Sequence, residues 1–195
     1  MNTDDPKVYV VDDDADLCAT VARLLCRHGF NAQSFPDPVR LLDIYAPAPA
    51  ACIVTDVMMD DLDGFGFADR VRVIDPAVAI IFMTAWPTTA NAVDSVRRHG
   101  GIDYLEKPLD EARLLAAVSE GVDWSVRKRQ QLARTATLSP REREVFDLLV
   151  QGHSNKVIAA KLELSPKTVE DHRASIISKT GANGLAQLIA LASPD

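Results

Sequence analysis

Through its first 122 residues the chain alternates short apolar runs with stretches of helical period, and this alternation constrains the fold more than any other feature. KVYVV (7–11), ACIVT (51–55) and AVAIIFMT (77–84) read as strands buried on both faces, while NAQSF and IDYLEK supply two weaker ones. The helical stretches are ADLCATVARLLCRHG, with Leu17, Val21, Leu24 and Leu25 on one face, then VRLLDIY, FGFADRVRVI, NAVDSVRRHG and DEARLLAAVSEGV. Gly29 stops the first helix, and Asp37 followed by Pro38 opens the second. Five strands alternating with five helices give an α/β fold with a five-stranded, parallel, doubly wound sheet.

Beyond residue 122 the character changes. The closing helix meets no proline before Pro140, so it is expected to run on through DWSVRKRQQLARTAT as a basic, partly helical linker over 123–137. Residues 138–195 then hold four short helical segments. Ser139 is an N-cap, Pro140 takes the first helical position, and Glu142 completes a capping box. Gly152, Gly181 and Gly184 are expected as helix stops. At 195 residues the chain fits two small domains, 1–122 and 138–195. Charge divides along the same line. Residues 1–122 carry 10 Lys/Arg against 20 Asp/Glu, and residues 123–195 carry 11 against 8. The two parts are therefore expected to have different partners.

The chain opens on MNTDDPK, acidic and polar where a signal peptide is basic and then apolar. No run of about 18 apolar residues offers a membrane span. A cytoplasmic protein that does not engage membranes is expected. Cys18, Cys26 and Cys52 are unclustered and lie within apolar segments, which predicts three reduced core thiols.

Every strand of a parallel sheet ends along one edge, where ligands collect. The first strand ends in Asp12 and Asp13, the third in Asp56, the fourth in Thr84 and Ala85, and the fifth in Lys107. Carboxylates from two strands, a hydroxyl from a third and an ammonium from a fourth are thereby brought to one place. Crowded carboxylates stay ionised at neutral pH when a cation joins them, and an all-oxygen set without His or Cys selects a hard ion, Mg2+. Beside Mg2+ and Lys107, Asp56 would be a usable nucleophile toward a phosphoryl group.

The set DD (12–13), TD (55–56), T (84) and KP (107–108) resembles the receiver domain of bacterial two-component response regulators, across residues 1–122. The resemblance implies that Asp56 is the phosphoacceptor, supplied by a cognate sensor histidine kinase. It implies that Asp12, Asp13, Asp56 and the backbone carbonyl of Met58 hold Mg2+. It implies that Thr84 and Tyr104 form a switch pair, with Ala85 giving the phosphate room, and that Lys107-Pro108 is a cis peptide. The family usually has proline where this chain has Asp60. An aspartyl-phosphate phosphatase of the haloacid-dehalogenase type would need a second carboxylate two residues after the nucleophile, where Met58 stands, so a regulator rather than an enzyme is expected.

In the second part, SNKVIAAKLELSPKTVEDHRASI has the helix, tight turn and helix of a helix-turn-helix. With its flanks, LSPREREVFDLLVQGHSNKVIAAKLELSPKTVEDHRASIISKTG resembles the LuxR/FixJ-type output domain, and the whole chain resembles a FixJ/NarL-type response regulator. On that resemblance Lys167, Thr168, Arg173 and Lys179 contact DNA phosphates, with Asn155 and Lys156 assisting. Glu170, Asp171 and Ala174 sit where base edges are read, and an acid there can accept from cytosine N4. Residues 138–195 hold 7 basic and 7 acidic side chains, too balanced for strong binding by one copy. A homodimer formed on phosphorylation, through the face of the helix over 91–100, the fifth strand and the fifth helix, would double the contacts. RNA polymerase would be a further partner. A receiver-controlled, protein-binding output is the alternative.

Overall fold

The computed structural model describes residues 6–45, 50–86 and 98–192. Five strands, β1 (Lys7–Val11), β2 (Asn31–Phe35), β3 (Ala50–Asp56), β4 (Ala79–Thr84) and β5 (Asp103–Glu106), form one parallel sheet in the order β2-β1-β3-β4-β5. Strand side chains alternate between the two faces. Val8, Val10, Cys52, Val54, Ile81 and Met83 pack against α1 (Ala15–Arg27) and the first turns of α4 (Glu111–Ala136). Tyr9, Val11, Ile53, Ile80 and Phe82 pack against α2 (Pro38–Ile44) and α3 (Gly64–Ile74). With both faces covered, β3 and β4 are buried at every residue, which explains their unbroken apolar runs. Each large side chain so enclosed contributes about 1.5–3 kcal/mol.

The caps follow the local chemistry. Asp14 caps α1, its side chain accepting from the N–H groups of Asp16 and Leu17, and Asp63 caps α3 by accepting from Gly66 N–H. After α1 the chain turns through His28 and then Gly29 at φ +89°, as its glycine implies. The helix expected over 91–100 lies outside the described residues except for its last three positions, where the chain forms a turn.

α4 is a single helix of 26 residues, so the segment expected as a partly helical linker is helical up to Ala136. Compact packing divides the chain between Lys128 and Arg129, inside that segment. Before the division, Ser125 is buried and donates to Ala77 O at 2.6 Å, while Trp124 packs on the sheet's core. After it, Gln131 donates to Leu191 O at 2.6 Å and Arg143 donates to Thr135 O at 2.5 Å.

The second unit is built from the end of α4 with α5 (Pro140–Val150), α6 (Asn155–Leu162), α7 (Pro166–Thr180) and α8 (Leu185–Ala192). Val145, Phe146, Leu149, Ile158, Val169, Ile176 and Leu188 form its core. The capping box of α5 is present, with Ser139 and Glu142 each bonded to the other's backbone N–H. Among the described residues no helix is long and apolar enough to cross a membrane.

Two sequence expectations need correction. Cys18 and Cys52 are buried thiols, but Cys26 is exposed although also free. Gly184 opens α8, its carbonyl accepting from Leu188 N–H at 3.1 Å, and does not stop a helix. The stop of α6 is Glu163, a left-handed residue at φ 55°, where no glycine marks the end.

Candidate functional site

The C-terminal edge of the sheet gathers three carboxylates. Asp12 and Asp13 follow β1 and Asp56 ends β3. One oxygen from each lies within 4.8 Å of the other two. Asp12 is 1 % exposed; its Oδ1 accepts from Asp14 N–H at 3.0 Å and its Oδ2 from Lys107 Nζ at 2.7 Å. The Asp56 side chain is 8 % exposed; its Oδ1 accepts from Val57 N–H at 2.9 Å and lies 3.2 Å from Lys107 Nζ. Asp13 stands exposed at the rim, where Asp60 N–H reaches its Oδ2 at 3.2 Å.

Burial pushes the Asp56 carboxyl above its ordinary range, opposed by the ammonium of Lys107 and reinforced by the charge of Asp12. Burial also disfavours the Lys107 ammonium, but its hydrogen bond to Asp12 and the two carboxylates beside it outweigh that cost and raise its pKa. Among the described residues one ammonium, that of Lys107, pairs with Asp12 and Asp56 and none with Asp13, which leaves the three carboxylates short of positive charge. A hard divalent cation supplies it, and the all-oxygen donor set fits one.

The remaining sequence-derived residues lie around this cluster. Thr84 is buried at the end of β4, its hydroxyl accepting from Trp86 N–H at 3.1 Å and its carbonyl accepting from Lys107 N–H at 2.7 Å. Ala85 is exposed beside it. Met58 follows Asp56 by two residues with a side chain open to solvent. Tyr104, on β5 and half-buried, packs toward the α2–α3 face of the sheet. Among the described residues its enclosed hydroxyl has no hydrogen-bond partner. Lys107-Pro108 is cis. Two features escaped the sequence. Gly64 lies so close to Asp56 that an added Cβ would sit 2.0 Å from the Asp56 carbonyl oxygen. Asp60 meets Asp13 through its backbone, a contact that only the loop's geometry reveals.

In the second unit, α6 and α7 meet through a turn in which Leu164 N–H donates to Ala159 O at 2.9 Å and Ser165 caps α7. Lys167, Glu170, Asp171 and Ala174 are exposed at i, i+3, i+4 and i+7 of α7, opposite buried Val169 and Ile176. Lys167 lies 3.2 Å from Asp171 and 3.9 Å from Glu170. Thr168 is half-buried; its N–H bonds the Ser165 hydroxyl at 3.0 Å. Arg173 donates to Asn155 Oδ1 at 2.7 Å, joining α7 to the first turn of α6, where Lys156 is exposed. Lys179 differs from these: its ammonium reaches both oxygens of buried Glu142, at 2.6 and 2.9 Å, and Ser175 donates to the same carboxylate at 2.5 Å.

The Lys179 ammonium, the Ser175 hydroxyl and the Ser139 N–H pull Glu142 from an ordinary 4.5 to about 2. A carboxyl whose pKa falls on folding stabilises the fold fully above 4.5, and that stabilisation is lost as pH drops toward 2. Glu142→Gln is therefore expected to lower the denaturation midpoint of the second unit at pH 7, with the gap from wild type closing between pH 4.5 and 2. A gap independent of pH would contradict this.

Residues 8–119 match the family model described as the response regulator receiver domain, and residues 136–192 match that of the bacterial regulatory proteins, luxR family. The transcriptional regulatory protein FixJ of Bradyrhizobium diazoefficiens is 35 % identical over 192 residues, covering 95 % of this chain and 93 % of its own. The chain belongs to the FixJ family of response regulators. FixJ of Azorhizobium caulinodans is 36 % identical over 192 residues, covering 95 % of this chain and 90 % of its own. Among solved structures, the response regulator StyR matches with a TM-score of 0.58 at 30 % identity, over 96 % of this chain and 98 % of its own. Full-length FixJ from B. japonicum matches with a TM-score of 0.53 at 34 % identity, over 96 % and 95 %. As a FixJ-type regulator with a clustered-carboxylate receiver site and a helix-turn-helix unit, the chain is a phosphorylation-regulated DNA-binding transcription factor, not an enzyme. A histidine kinase, DNA and a second copy of the chain are its partners in general terms.

Proposed function

We propose that Asp56 is the residue that receives the phosphoryl group, and that its modification controls how the helix over 166–180 meets promoter DNA. The observation that carries this reading is the convergence of Asp12, Asp13 and Asp56 with Lys107 at one sheet edge. Asp56 Oδ1 is engaged by Val57 N–H and Lys107, while Oδ2 makes no hydrogen bond among the described residues and is free to attack. It bonds to the phosphorus of the kinase's phosphohistidine as the P–N bond breaks, and the imidazole keeps the electron pair. Asp12, Asp13, Asp56 and the Met58 carbonyl would hold Mg2+, which when bound neutralises charge on the carboxylates and the phosphoryl oxygens. Lys107 contributes a second positive charge toward the same oxygens.

Thr84, buried at the strand end, would donate its hydroxyl to the new phosphoryl oxygens, with exposed Ala85 leaving them room. Tyr104 is the partner of that switch. Its enclosed hydroxyl has no hydrogen-bond partner among the described residues, and a changed position that supplied one would recover about 1–3 kcal/mol, the cost of an unsatisfied buried group. Dimerisation then doubles the contacts of an output domain with balanced charge. On this reading the receiver spans 1–122, the helical connector 123–137 and the DNA-binding domain 138–195, with RNA polymerase as a further partner at the promoter.

Lys167, Thr168, Arg173, Asn155 and Lys156 would bind phosphates, while Glu170, Asp171 and Ala174 would face base edges. Lys179 would add a phosphate contact besides its structural pairing with Glu142. Lys167→Ala and Arg173→Ala test this with the phosphodonor-treated chain and promoter DNA. Each is expected to weaken binding by about tenfold and to flatten the salt dependence by about one counterion. Promoter affinity unchanged in both would refute the DNA-facing assignment.

A further inference from the structure

We infer that the backbone N–H of Asp60 is a positioning group for the metal-binding carboxylate of Asp13, an inference that rests on Asp12, Asp13 and Asp56 being the cation's ligands. The three carboxylates are held unequally. Asp12 is fixed by Asp14 N–H and by Lys107, and Asp56 by Val57 N–H and by Lys107. Asp13 is exposed and has no ammonium within salt-bridge distance among the described residues. Its one hydrogen bond there is the 3.2 Å contact from Asp60 N–H to Oδ2.

That contact joins the loop after β1 to the loop after β3, across the cation's site. An exposed aspartate samples several rotamers, and a ligand that must be ordered on binding loses affinity in proportion to that freedom. A donor that orders it beforehand acts as an outer partner of a metal ligand does, through orientation and not through contact with the ion. The donor exists because position 60 is not proline, the residue that the receiver resemblance leads one to expect there; proline has no N–H to give. The Asp60 side chain is a separate matter. It is exposed, and its charge acts on the site through screened solvent.

Mg2+ titrations of the full chain by calorimetry separate backbone from side chain. Asp60→Ala keeps the N–H and is expected to bind Mg2+ within about threefold of wild type. Asp60→Pro removes it and is expected to bind about tenfold more weakly. In an Asp13→Ala background, adding Asp60→Pro is expected to change nothing further, because the group it would have positioned is gone. Equal affinity of Asp60→Pro and Asp60→Ala would overturn the inference. So would an Asp60→Pro loss that persists undiminished without Asp13, which is what a general distortion of the loop produces. A wild-type chain that binds no Mg2+, or binding that survives Asp13→Ala unchanged, would overturn the ligand assignment as well.

Discussion

Alanine at position 64 is expected to destabilise the first unit by about 3 kcal/mol, the upper range for a group forced into packed surroundings. The Cβ built at Gly64 falls 2.0 Å from the Asp56 carbonyl oxygen, 2.9 Å from its carbonyl carbon and 3.0 Å from Val57 Cα. All three are backbone atoms of a strand end buried between neighbours, so none can swing aside as a flexible side chain would. Gly64 N–H also donates to Val57 O at 3.0 Å, and retreat of the helix would break that bond. Because the obstructed residue is Asp56 itself, Mg2+ affinity should fall together with stability. Denaturant unfolding of the full chain, with Mg2+ calorimetry, checks both; an unchanged midpoint for the first unit would show that the close approach does not constrain the site.

Lys107→Met should have an effect of similar size with a different signature. Lys107 Nζ is the ammonium shared by Asp12 and Asp56, two carboxylates almost closed to solvent. Removing one partner of a buried pair leaves the other charge uncompensated, at about 3–5 kcal/mol when burial is complete. The Lys107 side chain is 15 % exposed, so about 3 kcal/mol is expected without Mg2+. Added Mg2+ should recover much of the loss, since it supplies positive charge to the same oxygens. Lys107 has a raised pKa, so its contribution is fully present below the ordinary lysine value of about 10.4 and is lost as pH rises past the raised one. Asp56 has a raised pKa too, so its ionisation costs stability as pH rises through the carboxylate range. The deficit of Lys107→Met should accordingly be large at pH 7 and shrink toward pH 4. A deficit that ignores both Mg2+ and pH would mean that lost packing, not charge, dominates.

The parallel sheet was legible because β1, β3 and β4 are buried on both faces and therefore read as unbroken apolar runs. The meeting of Asp12, Asp56 and Lys107 followed from it, since parallel strands send their C-terminal ends to one edge. Features set by rotation, by loop path or by distant partners were not legible. Cys26 lies eight residues beyond Cys18, which turns it about 80° around the helix and out of the core. α6 ends on Glu163 in a left-handed conformation that no glycine announces. Lys179 has the residue type and place of a phosphate contact, yet its ammonium sits on Glu142, 37 residues away in sequence. Glu142 itself was legible as half of a capping box, but nothing local showed that the same carboxylate also receives Lys179 and Ser175. The contact of Asp60 with Asp13 depends on two loops 47 residues apart and on a backbone atom that every residue but proline carries.

Intact-mass measurement of the full chain after treatment with acetyl phosphate and Mg2+, paired with promoter binding of the same samples, bears most directly on the central claim. Wild type should gain one phosphoryl group and bind promoter DNA more tightly. Asp56→Asn should gain none and show no donor-dependent change. An Asp56→Asn chain that is labelled and activated like wild type would contradict the assignment of Asp56 as the acceptor.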